Sequence, residues 1–159
     1  MIMTPTYLGN TDLLKQPMIA YFCSKEYTAQ SVLLSYDWAT DQKQAGKVVI
    51  STFRSPIEQD VLHFLLKNHQ SVIVVLNKRM YKRIPEQFKE AYEAGQVLFI
   101  SLCPETAIRS GQVQANQANR YALSLVSEVV FGCVTPGSNT EKLYHYAEKM
   151  KNVTIKTIL

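Results

Sequence analysis

The sequence predicts an α/β fold of the doubly wound, Rossmann-like kind: a three-layer sandwich around a mainly parallel sheet of 5–6 strands. Three observations carry that expectation. Short runs rich in Val, Ile, Phe or Tyr recur along the chain, each bounded by turn or polar residues. These runs are continuously apolar, as strands covered on both faces are. Segments with apolar residues at helical spacing lie between them, and an alternating βα order makes a parallel sheet with helices on both faces.

The elements follow in order. Buried strands are expected at Met18 to Cys23, Lys47 to Ser51, Ser71 to Leu76, Gln96 to Ser101 and Glu128 to Val134. Val153 to Ile158 alternates and reads as an edge strand. Helices are expected over Tyr27 to Ala45, stopped by Gly46, and over Ile57 to Asn68, with Ile57, Val61, Phe64 and Leu65 on one face. Pro85 to Ala94 ends at Gly95, while Asn116 to Ser127 and Thr140 to Met150 complete the set. The core stripe of the last helix is Leu143, Ala147 and Met150. Residues 1–16 read as an extension that packs on the domain or pairs with a partner.

Composition frames the function. The chain has 159 residues, 47% of them hydrophobic and 19% charged, the size and balance of one globular domain with a sizeable core. No run reaches the roughly 18 apolar residues of a membrane span, and Met1 to Gln16 lacks the basic-then-apolar order of a signal peptide. A cytoplasmic protein is expected. Cys23, Cys103 and Cys133 are odd in number and show no C-x-x-C spacing, so three thiols are expected rather than a disulfide or a metal site. A net charge of +4 permits a polyanionic partner without demanding one.

In doubly wound sheets, ligands bind outside the carboxyl ends of the strands, where strand order reverses. Two loops on that edge open helices with start signals. Ser55-Pro56-Ile57-Glu58 reads as a capping box with Pro at the first helical position. Ser138-Asn139-Thr140-Glu141, after Pro136-Gly137, reads as a second. Helix N-termini suit phosphate, although a capping box satisfies the same N–H donors internally. A third loop, Asn77-Lys78-Arg79-Met80-Tyr81-Lys82-Arg83, sets four cations around a tyrosine. It suits phosphates with a stacked base, or is a solvated basic loop. Arg54 and Arg120 add charge to that edge if their loops converge. His63, His69 and His145 have no nucleophile at a recognisable motif and read as structural or surface residues, and Glu58 and Asp60 as exposed helix acids. No catalytic residue, metal or cofactor is expected, and a binding module is favoured over an enzyme.

Several segments together resemble the Rossmann-like core of the bacterial DNA-processing protein A (DprA/Smf) family, within the wider SLOG group that includes the lysine-decarboxylase-like LOG enzymes. YLGNTDLLKQPMIAYFCSK is similar to the family's lead-in and first strand, which ends in V-G-S-R. VVISTFRSPIEQDVLHFLL is similar to its V-S-G-x-A-x-G-I-D segment, with Ser51, Ile57 and Glu58 in register. SVIVVLNKRMYKRIPEQFKEAYEAGQVLFISLCPE follows its third strand, Y-P turn and S-E-x-P stretch. ANQANRYALSLVSEVVFGCVTPGSNTEKL resembles its R-N-R-x-I-x-x-L-S segment and S-G-S-x-x-T turn. The resemblance covers the chain from about Tyr7 onward.

What it implies is a basic pocket for the backbone of single-stranded DNA, often in a homodimer. Carried over by position, the candidate contacts are Ser24 and Lys25, Ser51 and Arg54, Lys78 and Arg79, Asn119 and Arg120, and Gly137, Ser138 and Thr140. The departures are large. Cys23, Thr52, Pro56 and Asn77 stand where the family has glycine, and glycine lets backbone approach phosphate closely. These side chains should narrow or reshape the pocket. Ala118 replaces the first Arg of R-N-R. The LOG motif P-G-G-x-G-T-x-x-E is echoed only by Pro136-Gly137-Ser138-Asn139-Thr140-Glu141, which argues against phosphoribohydrolase activity. The alternatives to a nucleic-acid-binding module are a sensor of a nucleotide or nucleotide derivative, an enzyme acting on a nucleoside monophosphate through Glu141 or Glu105, and an assembly domain whose site has decayed.

Overall fold

The structure is a computed structural model that describes residues 4–26, 28–109 and 111–158. Among them, one sheet contains β1 (Thr6–Gly9), β2 (Met18–Phe22), β3 (Val48–Ser51), β4 (Val72–Leu76), β5 (Val97–Ser101), β6 (Glu128–Phe131) and β7 (Thr154–Thr157). Their spatial order is β1-β5-β4-β3-β2-β6-β7. All neighbours are parallel except β1 and β5, which are antiparallel. The helices are α1 (Ala29–Gln44), α2 (Pro56–Lys67), α3 (Lys89–Glu93), α4 (Gln112–Ser124) and α5 (Asn139–Glu148). Tyr27, the expected first residue of the first helix, lies outside the described residues.

The doubly wound expectation holds, and burial shows why the apolar runs were continuous. Successive strand residues point to opposite faces, and both faces are covered. Tyr21, Val49, Val72, Val74 and Phe99 pack with Ala39 of α1, Ile57, Val61 and Leu65 of α2, and Ala91 of α3. Ala20, Phe22, Ile50, Ile73, Leu98 and Phe131 pack on the other side with Ala118, Ala122 and Leu123 of α4 and Leu143 and Ala147 of α5. Every residue of β3, β4 and β5 is buried.

The sheet has seven strands rather than 5–6, because the lead-in contributes one. Thr6–Gly9 pairs with β5 in the register Thr6 opposite Ser101 to Gly9 opposite Leu98. Gly9 holds a left-handed φ of 116°, and a Cβ there would drive into the Val97 carbonyl, so only glycine fits this close approach. The Asn10 amide then donates to the Gly95 carbonyl at 2.8 Å, and its oxygen accepts from the Asp12 N–H at 3.0 Å. That cap starts a 3-10 turn, Thr11–Lys15, which buries Leu13 under the sheet. The extension is therefore an edge strand and a plug.

Helix bounds differ where no side-chain cap marks the start. The fourth helix starts at Gln112, four residues before the expected Asn116, because in its first turn, Gln112-Val113-Gln114-Ala115, Val113 faces solvent and only the small Ala115 is buried, which leaves no apolar stripe to mark the start. The third element is a 3-10 turn, Glu86–Phe88, leading into a short α3. No helix among the described residues is long and apolar enough to cross a membrane.

Strand order places the site. From β2 the chain steps outward through β3, β4 and β5, then crosses back to β6 on the other side of β2. It leaves β2 toward α1 on one face of the sheet and leaves β6 toward α5 on the other. The loops part there, and a crevice opens at the carboxyl ends of β2 and β6.

Candidate functional site

A cleft of about 490 Å³ occupies this crevice. Its walls are the loops after β2, β3 and β6, with Gln112 and Asn119 of α4 closing one side. Of the residues singled out from sequence, Ser24, Lys25, Arg54, Asn119, Gly137, Ser138 and Thr140 all line it.

Hydrogen bonds set the shape of the β2–β6 wall. The Ser24 N–H donates to the Cys133 carbonyl at 2.9 Å, continuing the parallel ladder one step past the strands. The Ser24 hydroxyl, buried, accepts from the Thr135 N–H at 2.9 Å and lies 3.3 Å from the Ser138 hydroxyl. Ser138 donates to the Thr135 carbonyl at 2.6 Å and caps α5 by accepting from the Glu141 N–H at 3.1 Å. Gly137, at φ 80°, turns the chain into the helix, and its N–H donates to Glu141 Oε1 at 3.1 Å. Glu141 thus reaches the residue before the cap instead of closing a full capping box on Ser138. Asn139 and Thr140, at the first turn of α5, line the cleft. First-turn N–H groups lack intrahelical partners and carry the positive end of the helix dipole.

The β3 wall is built differently. Ser55 and Glu58 form a complete capping box. The Glu58 carboxylate is 6% exposed and accepts from the N–H groups of Cys23 at 2.9 Å, Arg54 at 2.8 Å and Ser55 at 3.3 Å. Burial raises its carboxyl above the usual range, against the opposing pull of those donors. Glu58 is therefore no exposed helix acid, as its pairing with Asp60 in sequence suggested. It ties the end of β2 to the start of α2. The signal was present in the capping-box spacing, which sends the glutamate back over the helix end, but the spacing could not show that Cys23 waits there. Above this knot the Thr52 hydroxyl donates to Asn119 Oδ1 at 2.7 Å, so the loop after β3 and α4 meet across the cleft floor.

A second hollow, also about 490 Å³, opens beside the first at the ends of β3 and β4. Thr52 and Arg54 line both. Lys78 lines this hollow, its ammonium 5.3 Å from the centre of the Tyr81 ring. Its carbonyl accepts from the Ser101 hydroxyl at 2.6 Å, which moors the basic loop to β5. Arg79 lines neither hollow; its N–H donates to the Ala107 carbonyl at 2.8 Å.

Two further sequence candidates stand apart. Ser51 is fully buried, and its hydroxyl accepts from the Phe53 N–H at 3.1 Å. It shapes the loop and does not reach the cleft. Arg120 sits on the outer surface of α4, its guanidinium 4.6 Å over the Tyr146 ring of α5, and the convergence that would have brought it to the edge does not occur.

The Cys23 thiol, at the end of β2, is poorly suited to nucleophilic chemistry. Burial, with the neighbouring Cys133, pushes the Cys23 thiol up to about 12, which leaves it protonated at neutral pH. Among the described residues, no group of three His, Cys, Asp or Glu side chains is placed to hold a metal ion.

Neither a family model nor a curated protein sequence matches the chain. Solved structures do. DNA processing protein A (DprA) from Streptococcus pneumoniae aligns over 96% of this chain with a TM-score of 0.79 and 18% identity. This chain spans about half of that protein, 54% of its length. DprA from Helicobacter pylori, described in a single-stranded DNA binding mode, aligns over 96% of this chain and 70% of its own, with TM-score 0.75 and 18% identity. The molybdenum cofactor binding protein of the phototrophic bacterium Rippkaea orientalis aligns over 89% of this chain and 77% of its own, with TM-score 0.60 and 13% identity. The resemblance to DprA is thus borne out in the fold, which the molybdenum cofactor protein shares.

Proposed function

We propose that this protein binds the backbone of single-stranded nucleic acid along the carboxyl edge of its sheet, without catalysis. One observation carries the reading: the cleft and the neighbouring hollow share Thr52 and Arg54, so Lys25, Arg54 and Lys78 line one continuous run of surface. A compact ligand needs one pocket; a strand needs a row of contacts. Phosphates meet Lys25 and the Ser138 end of α5 in the cleft, Arg54 on the shared wall, and Lys78 beyond it, with Arg79 following in the same loop. Ser24, Asn119, Gly137 and Thr140 supply the neutral hydrogen-bonding walls. The likeness to H. pylori DprA, which binds single-stranded DNA, supports the same assignment.

The test is fluorescence anisotropy with a labelled oligothymidylate. Binding at low salt is expected, weakening as salt rises. For three phosphates neutralised, the slope of log K against log salt is roughly −2, from about −0.7 per contact on single strands. Absence of binding at low salt ends this reading.

A second reading, a small phosphate-bearing ligand held in the cleft alone, draws on the hydrogen-bonded Ser24, Thr135 and Ser138 wall and on the likeness to the molybdenum cofactor binding protein. A ligand that binds only the folded chain raises its melting temperature by mass action. Stabilisation by mononucleotides, with no gain for a longer strand, would select this reading over the first.

A further inference from the structure

We propose that the hollow at the ends of β3 and β4 is a subsite for a planar heterocyclic base of the nucleobase type. The proposal rests on the strand-binding reading above and names what lies between the phosphates.

The walls and the rim of this hollow differ in chemistry. Its inner walls are apolar: Phe53, Leu62 and Phe88 are each no more than 5% exposed and line it. Its mouth carries the side-chain amides of Gln59, Asn77 and Gln87. An amide offers donors and an acceptor together, which is what the edge of a nucleobase requires. Arg54 and Lys78 also line it, so a phosphate on either side of a seated base has a cation within the same hollow. A free acidic ligand would use the cations and leave the apolar walls wet, and a lipid tail would leave the amides without partners.

Two further features point to a built site. Phe53 holds a left-handed φ of 48°, a conformation that costs a non-glycine residue about 1–3 kcal/mol and persists where the surroundings enforce it, often at ligand sites. In the same turn the buried Ser51 hydroxyl accepts from the Phe53 N–H at 3.1 Å. This turn sets Phe53 into the wall while Arg54, the next residue, stands on the rim. Tyr81, at the opposite side, is held edge-on against Phe99 at 5.2 Å between centroids. Burial raises its phenol above the usual range, so the hydroxyl stays a neutral donor. The volume, about 490 Å³, falls within the ~300–1,000 Å³ of small-molecule pockets and has room for a base with its sugar.

The experiment compares a labelled oligothymidylate with an abasic oligonucleotide of the same length and charge. The expected result is binding of both, with the base-bearing strand about tenfold tighter, as stacking of one base on an aromatic wall gives. Gln87→Trp, at an exposed rim position, fills the mouth without touching the core. It is expected to bring thymidylate affinity down to the abasic value and leave the abasic value unchanged, and Asn77→Ala to reduce the same difference. Equal affinity of the unmodified protein for the two strands overturns the subsite while the phosphate-binding reading stands. Full thymidylate preference in Gln87→Trp overturns the subsite too. Binding of neither strand overturns both.

Discussion

The N-termini of α2 and α5 open on the same cleft and begin with the same pattern, a serine followed three residues later by glutamate, yet they are built as opposites. At α2, Glu58 folds back into the protein and takes the N–H groups of Cys23, Arg54 and Ser55. At α5, Glu141 is only partly covered and takes the single N–H of Gly137. A buried carboxylate cannot give up its donors, because the charge would then stand in a low dielectric without partners. A carboxylate in water can exchange its donor for a ligand oxygen at small cost. The α2 end is thus occupied by an internal carboxyl group, and the α5 end is the one where an external anion competes on fair terms. A shared motif therefore does not fix a shared role; depth does.

The comparison breaks or sharpens under substitution. The largest effect is expected from Glu58→Ala, which orphans the buried N–H groups of Cys23 and Ser55 and the part-buried one of Arg54. At about 1–3 kcal/mol for each buried group left without a partner, the loss is about 2 kcal/mol or more. Urea denaturation measures it, and a loss no greater than that of an ordinary surface cap would erase the distinction between the two ends. Next comes Arg54→Ala. Its backbone N–H still reaches Glu58, so stability should stay within about 0.5 kcal/mol. The salt slope of oligonucleotide binding should become shallower by about 0.7, one phosphate contact. An unchanged slope would remove Arg54 from the row.

Ser138→Ala removes the cap of α5 and the link to Ser24, a loss of about 1 kcal/mol on the scale of N-cap deletions. A chain that tolerates it without change would show that water replaces the cap fully. The smallest effect is expected from Glu141→Gln, within about 0.5 kcal/mol in stability, since the site is open to solvent. Its sign matters more. Removing a like charge beside Gly137 and Ser138 should tighten oligonucleotide binding, and weaker binding would mean that Glu141 supports the ligand instead of competing with it.

Much of the fold was legible because the helices and buried strands announce themselves in short windows. The run Val72–Leu76 is apolar at every position and buried at every position, and Gly46 and Gly95, at φ 71° and 72°, end their helices where the pattern stops. Thr6–Gly9 was illegible as a strand for the converse reason. It is four residues long, mostly exposed and without an apolar rhythm, and only its register against β5 makes it one. In the site, capping residues such as Ser55 and Ser138 could be read from spacing. The fates of Arg54 and Arg120 could not. Both are exposed arginines near the same edge in sequence order, but one lines two hollows and the other lies over Tyr146.

The alternation of strand and helix, the apolar faces and the capped helix starts at Ser55 and Ser138 belong to the sequence alone, since each follows from residues within a turn or two of one another. The meeting of Glu58 with Cys23, of Thr52 with Asn119 and of Ser24 with Ser138 belongs to the tertiary structure. Those partners lie 35 to 114 residues apart, and no local pattern encodes contacts that exist only once the strands and helices have assembled around one sheet.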